Sequence, residues 1–399
     1  MPLRLGQEVQ AVLRGRGVTP RGFSYGAISA DVKGTGGTRP DLGLVFCDRE
    51  AVASGLFTTN LVKAAPVLIA MEQSRRGTLR AVLANAGNAN ACTGESGVAD
   101  ARSLMAEAGI CLGVDPGQVS PMSTGIIGVK LPADRMREKI AGLVSSLGPD
   151  PEVFARSIMT TDTFPKLARR KAGEAVVLGM AKGAGMIAPD MATTLAVVLT
   201  DAVISKQDLD NIIKRSIEKT FNAVTIDGDT STNDVLMALS TCYVTVNTDE
   251  LETAIFEVIR DLALLIVRDG EGATKFVSIT VQGAFSAADA KKAAMAVGNS
   301  LLVKTALFGA DPNWGRIVAA VGYSGARMDP GKVGVTVSGY RVVFSGTEAE
   351  GFREETLHGL LREKDIDIVI DLGQGAGEFT VYTTDLSYDY VRINAEYRT

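Results

Sequence analysis

The chain has 399 residues, 46% apolar and 22% charged, the balance of a folded globular protein with room for two or three lobes. Forty-one Lys and Arg against forty-six Asp and Glu leave a formal charge of −5, which argues against general attraction to nucleic acid or anionic lipid. Four dispersed cysteines, Cys47, Cys92, Cys111 and Cys242, form no C-x-x-C pair, so a disulfide scaffold, a zinc site and redox chemistry are set aside and a reducing cytoplasm is expected.

Residues 1–14 are faintly amphipathic, but Glu8 and the lack of a cleavage-site pattern argue against a signal or transit peptide. The apolar runs at Ala175–Ala181 and Leu262–Val267 have core length, far short of the ~18 residues of a membrane span. In chain order the first half predicts strands at Leu42–Cys47, Ala53–Thr58, Pro66–Ala70 and Ala81–Ala84, then helices near Glu95–Cys111 and Ala133–Ser146. In the second half, Ser205 with Asp208 and Ser286 with Asp289 have the spacing of capping boxes that open helices. Between them Thr248, followed by Asp249 and Glu250, is expected to cap a helix with Leu251, Ala254, Ile255, Val258, Ile259 and Leu262 as its apolar stripe. Strands are expected at Thr194–Thr200, Cys242–Val246, Phe276–Val281, Ile317–Val321, Val333–Val337, Ile366–Ile370 and Phe379–Thr383. The alternation predicts an α/β or α+β protein of layered sheets covered by helices.

The chemistry is constrained first by what is scarce. The single histidine, His358, lies in a charged helix-like stretch, which disfavours Ser-His triads and His-ligated metals. None of the glycine clusters, Gly34–Gly37, Gly183–Gly185, Gly270–Gly272 and Gly373–Gly377, has dinucleotide or Walker A spacing. DGDTSTND, residues 227–234, lacks the Gly and Glu of a calcium loop and is expected to be scaffold, as is DPNWGR, residues 311–316, around the only tryptophan.

The informative stretch is AKGAGMIAPDMATTLAVVLTDA, residues 181–202. Thr193 and Thr194 read either as β-branched residues opening a strand or as a hydroxyl nucleophile at a loop-to-strand junction. In the second reading, attack of Thr193 Oγ on the carbonyl of Ala192, an N-to-O acyl shift and hydrolysis leave Thr193 as a new N-terminus. Its α-amine, with an ordinary pKa of about 7.7–8.0, can serve as base for its own hydroxyl, so no histidine is needed.

Here the sequence resembles the ornithine acetyltransferase/glutamate N-acetyltransferase family of arginine biosynthesis. The resemblance is carried by GVTPRGFSYGAIS, NAGNANACTG, STGIIG, MTTDTFPK, KGAGMIAPDMATTL, FNAVTIDGDTSTND, RDGEGATKF, KTALFGADPNWGRI and the terminal VRINAEYRT, and so spans nearly the whole chain. This chain has Asp190 and Thr194 where the family pattern usually has Asn and Met.

The resemblance implies a two-lobed fold with α-β-β-α layers and autocatalytic cleavage between Ala192 and Thr193. An N-terminal (alpha) fragment, 1–192, would carry the oxyanion hole, and a C-terminal (beta) fragment, 193–399, would begin with the nucleophile. It implies ping-pong acetyl transfer from N2-acetylornithine to glutamate through acetyl-Thr193, with acetyl-CoA an additional donor in some members and no resident cofactor or metal. It further implies Thr124 and Gly125 as oxyanion hole and Thr161, Lys182, Thr193, Glu271, Asn394 and Thr399 as substrate contacts, with Thr160 adjacent to Thr161. The expected assembly is a heterotetramer of two fragments of each kind. A Thr-nucleophile amidohydrolase or aminopeptidase, and an uncleaved small-molecule-binding protein, are the competing readings.

Overall fold

The computed structural model describes residues 18–188 and 194–396. The first sheet holds eight strands: β1 (Phe23–Ile28), β2 (Leu42–Phe57), β3 (Thr78–Asn88), β4 (Val119–Ile126), β5 (Lys166–Ala172), β6 (Ala175–Lys182), β7 (Leu195–Ala202) and β8 (Val235–Val244). Their order is β4-β3-β2-β8-β7-β6-β5, with β1 added on β2. The two strands expected at Leu42–Cys47 and Ala53–Thr58 are one long strand, β2, bulged between Phe46 and Ala51, where Asp48, Arg49 and Glu50 are exposed. Its first half pairs with β1 and β3, whereas its second half pairs with β8. One strand therefore joins two half-sheets.

Alternation of side chains along these strands builds the layers. Ala81 and Leu83 of β3 face a core shared with helix Gly94–Leu112, while Val82 and Ala84 face a central core. Leu195, Val197 and Leu199 of β7 and Val235, Met237 and Leu239 of β8 face that same central core from the other half-sheet. Their alternates, Ala196, Val198, Leu236 and Ala238, pack against helices Lys206–Glu218 and Thr248–Arg268. The result is helix, sheet, sheet, helix, the layering that the resemblance implies.

A second sheet comprises β9 (Phe276–Ala284), β10 (Gly334–Val337), β11 (Tyr340–Phe344), β12 (Thr347–Glu348), β13 (Asp365–Asp371) and β14 (Gly377–Thr384), in the order β12-β11-β10-β13-β9-β14. It has its own core with helices Ala287–Asn299, Leu301–Gly309, Gly315–Tyr323 and Glu354–Leu361. His358 sits exposed on the last of these, its Nδ1 2.8 Å from the Ala310 carbonyl. After β14 the chain turns into helix Tyr388–Glu396, which returns toward the first sheet.

Several local expectations are corrected. Pro66–Ala70 is part of helix Ala65–Arg76: Pro66 stands in the first turn, where it lacks no needed donor, and Gly77 ends the helix at φ 82°. Ile317–Val321 lies in helix Gly315–Tyr323, where Ile317, Ala320 and Val321 are buried at helical rather than alternate spacing. Ala133–Ser146 divides into helices Ala133–Arg137 and Ile140–Ser145. The cap of the long second-half helix is Asn247, whose side chain accepts from the Asp249 and Glu250 amides, not Thr248. Only the first residues of the run Cys242–Val246 are strand, as the end of β8. The Ser205/Asp208 and Ser286/Asp289 caps form as expected.

Candidate active site

One cavity of about 130 Å³ opens where β4, β6 and β8 reach a common edge of the first sheet, and Thr124, Gly125, Thr160, Thr161, Lys182, Glu271 and Asn394 all line it. Thus every expected oxyanion-hole and substrate residue that falls within the described chain lines the same space, from positions spread over some 270 residues. Ala192, Thr193 and Thr399 lie outside the described residues. The chain on either side of the first two is anchored. Thr230 Oγ1 donates to the Ala188 carbonyl at 3.0 Å, and the Val235 amide donates to the Thr194 carbonyl at 3.0 Å, setting Thr194 at the head of β7 beside the start of β8.

At the end of β4, Gly125 has φ 131°, and a β-carbon at this position would fall 2.3 Å from the Gly87 carbonyl carbon, so only glycine fits. Here the β3–β4 ladder breaks register at Asn88, which pairs with both Thr124 and Ile126. Side-chain amides hold this distortion. Ser123 Oγ donates to Asn85 Oδ1 at 2.7 Å, Asn85 Nδ2 donates to the Asn88 carbonyl at 2.9 Å, and Asn233 Nδ2 donates to the carbonyls of Ala89 and Ser123 at 2.6 and 2.8 Å.

Lys182 ends β6, with Nζ 3.5 Å from Thr160 Oγ1. Burial lowers the basicity of its ammonium, against the pull of the Asp162, Asp234 and Glu271 carboxylates. Below it a fully buried lysine, Lys166, bridges Asp162 at 2.6 Å and Asp269 at 2.5 Å. Asp162 also accepts from the amides of Thr160 and Gly183, and Asp269 from the amide of Thr163. Burial alone would raise the Asp162 pKa, yet Lys166, Lys182 and the Gly183 amide bring it below its ordinary value. This ionic knot fixes the Thr160–Thr161 loop, the start of the glycine loop after Lys182 and the segment leading to Glu271.

Glu271 is 8% exposed and accepts from Asn394 Nδ2 at 2.8 Å, so the C-terminal helix closes one side of the cavity. Ser387 Oγ ties that helix to the Gly272 carbonyl at 2.6 Å. The lining also includes Asp227, Asp229, Ser231, Thr232, Asn233 and Asp234, the stretch read as scaffold from sequence. Its signal was present: eight consecutive residues without an aliphatic side chain, immediately before a buried strand. Asp227 accepts from the amides of Met186 and Ile187 at 2.6 and 2.8 Å; burial nevertheless raises its pKa. Tyr390, also missed, lines the cavity from the C-terminal helix, where burial and then the Asp227 carboxylate raise its pKa. DPNWGR lies away from the cavity, with Trp314 packed on the core of the second sheet.

The ArgJ family model matches residues 24–399. The chain belongs to the ArgJ family. An ArgJ relative from Geobacter sulfurreducens, an arginine biosynthesis bifunctional protein, is 51% identical over 95% of this chain and 99% of its own length. Another, from Syntrophotalea carbinolica, is 44% identical over 96% of this chain and 100% of its own. Among solved structures, an ArgJ bifunctional protein of Bacillus halodurans is 36% identical with a TM-score of 0.47, covering 49% of this chain and 96% of that one. Ornithine acetyltransferase of Mycobacterium tuberculosis complexed with ornithine is 38% identical with a TM-score of 0.40, covering 44% of this chain and 94% of that one.

Proposed function

We propose that this chain is a self-processing acetyltransferase of arginine biosynthesis, moving acetyl from N2-acetylornithine to glutamate through an ester on Thr193. The observation that carries this reading is the convergence of Thr124, Gly125, Thr161, Lys182, Glu271 and Asn394 on one cavity in a full-length ArgJ family member.

The chemistry follows from the charges. Lys182 offers a cation to the α-carboxylate that donor and acceptor share, and Glu271 offers an anion to the cationic end of ornithine. Thr124 and Gly125 stabilise the oxyanion formed when Thr193 Oγ attacks the acetyl carbonyl, an effect for which one donor is worth about 3–4 kcal/mol. The α-amine freed by cleavage after Ala192 takes the hydroxyl proton. Thr399 completes the substrate contacts from the C-terminus. Acetyl-CoA is an additional acetyl donor, there is no resident cofactor, and the working unit is a cytoplasmic heterotetramer of two N-terminal and two C-terminal fragments.

Partition of the acetyl-enzyme tests the reading. Glutamate should discharge it at least about 100-fold faster than water, as transition-state binding of the correct acceptor requires. Discharge by water at the same rate with or without glutamate makes the protein a hydrolase instead.

A further inference from the structure

Breaking an amide requires more than a nucleophile and an oxyanion hole: the departing nitrogen must be protonated. The described cavity contains no histidine, and most of its carboxyl groups are engaged. Glu271 accepts from Asn394, and Asp227 accepts from three main-chain amides. Asp234 differs. It is 3% exposed, and among the described carboxyl groups lining the cavity it alone has an enclosed oxygen, Oδ2, without a hydrogen-bond partner.

Its position is fixed from both sides. The Thr58 amide donates to the Asp234 carbonyl at 2.9 Å, and the next amide, Val235, donates to the Thr194 carbonyl at 3.0 Å. The cavity lining thus includes an ammonium, Lys182, and a buried carboxyl group with one unpartnered oxygen. An α-amino acid offers the complementary pair, a carboxylate and a nitrogen on the same carbon.

We propose that Asp234 gives a proton to the leaving nitrogen of the acetyl donor and takes one back from the incoming amine, an inference that rests on the acetyl-Thr193 reading above. In the first half-reaction the Thr193 oxygen–acetyl bond forms and the carbon–nitrogen bond breaks. The Thr193 hydroxyl proton, relayed through the α-amine, and the Asp234 proton both end on nitrogen, so ornithine leaves as an ammonium and Asp234 as a carboxylate. In the second, glutamate enters as an ammonium and returns one proton to Asp234. The amine attacks, the new amide forms, and its other lost proton restores the Thr193 hydroxyl. Atoms and protons balance over one cycle without a further reactant. Burial raises the Asp234 pKa well above the ordinary carboxyl value, which keeps it loaded, and the Lys182 charge favours the carboxylate that remains. Lys33, Asp227, Asp229, Glu271 and Tyr390 are the other titratable groups lining the space.

The test compares two acetyl donors on the full-length, processed protein. 4-Nitrophenyl acetate has a leaving group that departs without a proton, whereas acetylornithine has not. Asp234→Asn should slow acetylation by acetylornithine about 10²–10⁴-fold more than it slows acetylation by the ester. In wild type the acetylornithine rate should fall as rising pH ionises Asp234, with no such fall for the ester. If the variant does not fold, this wild-type comparison decides alone. Equal loss on both donors, no loss on either, or one pH profile for both overturns the assignment. Failure of wild type to be acetylated by acetylornithine at all would instead sink the proposed function beneath it.

Discussion

Gly125 illustrates how the active-site edge depends on a single atom. With φ at 131° and the Gly87 carbonyl carbon 2.3 Å from where a β-carbon would stand, Gly125→Ala must push β4 away from β3. The expected outcome is a loss of about 10²–10³ in acetyl transfer, the range for a damaged oxyanion hole, with at least about 1–3 kcal/mol of destabilisation from backbone strain. Steady-state rates beside a thermal melt check both parts; an unchanged rate would remove Gly125 from the oxyanion hole. At this scale the sequence was most legible where a residue type is chemically unusual. A lysine, an acid and a hydroxyl at family positions converge on one cavity as expected. Asp234 and Asn233 were not legible, because their roles depend on which backbone carbonyls and amides a strand head meets, and that is decided by β-sheet register rather than by composition.

Among elements, the segment after β14 positions Asn394, and a buried lysine holds its start. Lys304, 1% exposed, donates to Thr383 Oγ1 at 2.9 Å and to the Thr384 carbonyl. Burial lowers its pKa to about 8, with Asp385 and Asp227 opposing. The sign follows directly: between about 8 and the ordinary lysine value the unfolded chain binds more protons than the folded one, so this residue's contribution to stability rises with pH. Relative to Lys304→Met, the wild-type protein should gain up to about 3 kcal/mol between pH 8 and 10.5, measured by denaturant titration across the range. A difference that stays flat or shrinks contradicts a desolvated lysine at this position. Element types were legible where periodicity was clean, as in helix Thr248–Arg268 and β13. They failed at Pro66–Ala70 and Ile317–Val321, five-residue runs in which exposed positions, Leu68 and Ala319, are apolar too, so the sequence shows no period.

Over the whole molecule, the chain is interleaved across the proposed cleavage point. β7 lies between β6 from the first part and β8 from the second, and β8 in turn pairs with β2 from the first. Each of the two seams between parts, β2–β8 and β6–β7, is a six-residue antiparallel ladder, and both parts contribute to the central core. Cleaved protein should therefore elute from gel filtration as one species and separate into fragments only in denaturant; fragments that part under native conditions would contradict this packing. The layered architecture itself came from family resemblance, since the strand order that places residues 42–57 beside 235–240 rests on contacts far apart in sequence.

The central claim is that Thr193 is freed by cleavage and then carries acetyl. Intact mass spectrometry of freshly purified wild type and Thr193→Ala, before and after incubation with N2-acetylornithine and then glutamate, tests it most directly. Wild type should give fragments meeting at Ala192 and Thr193, with one acetyl gained on the C-terminal fragment and removed by glutamate, while the variant stays intact and unacetylated. A wild-type chain that remains whole and takes no acetyl contradicts the claim.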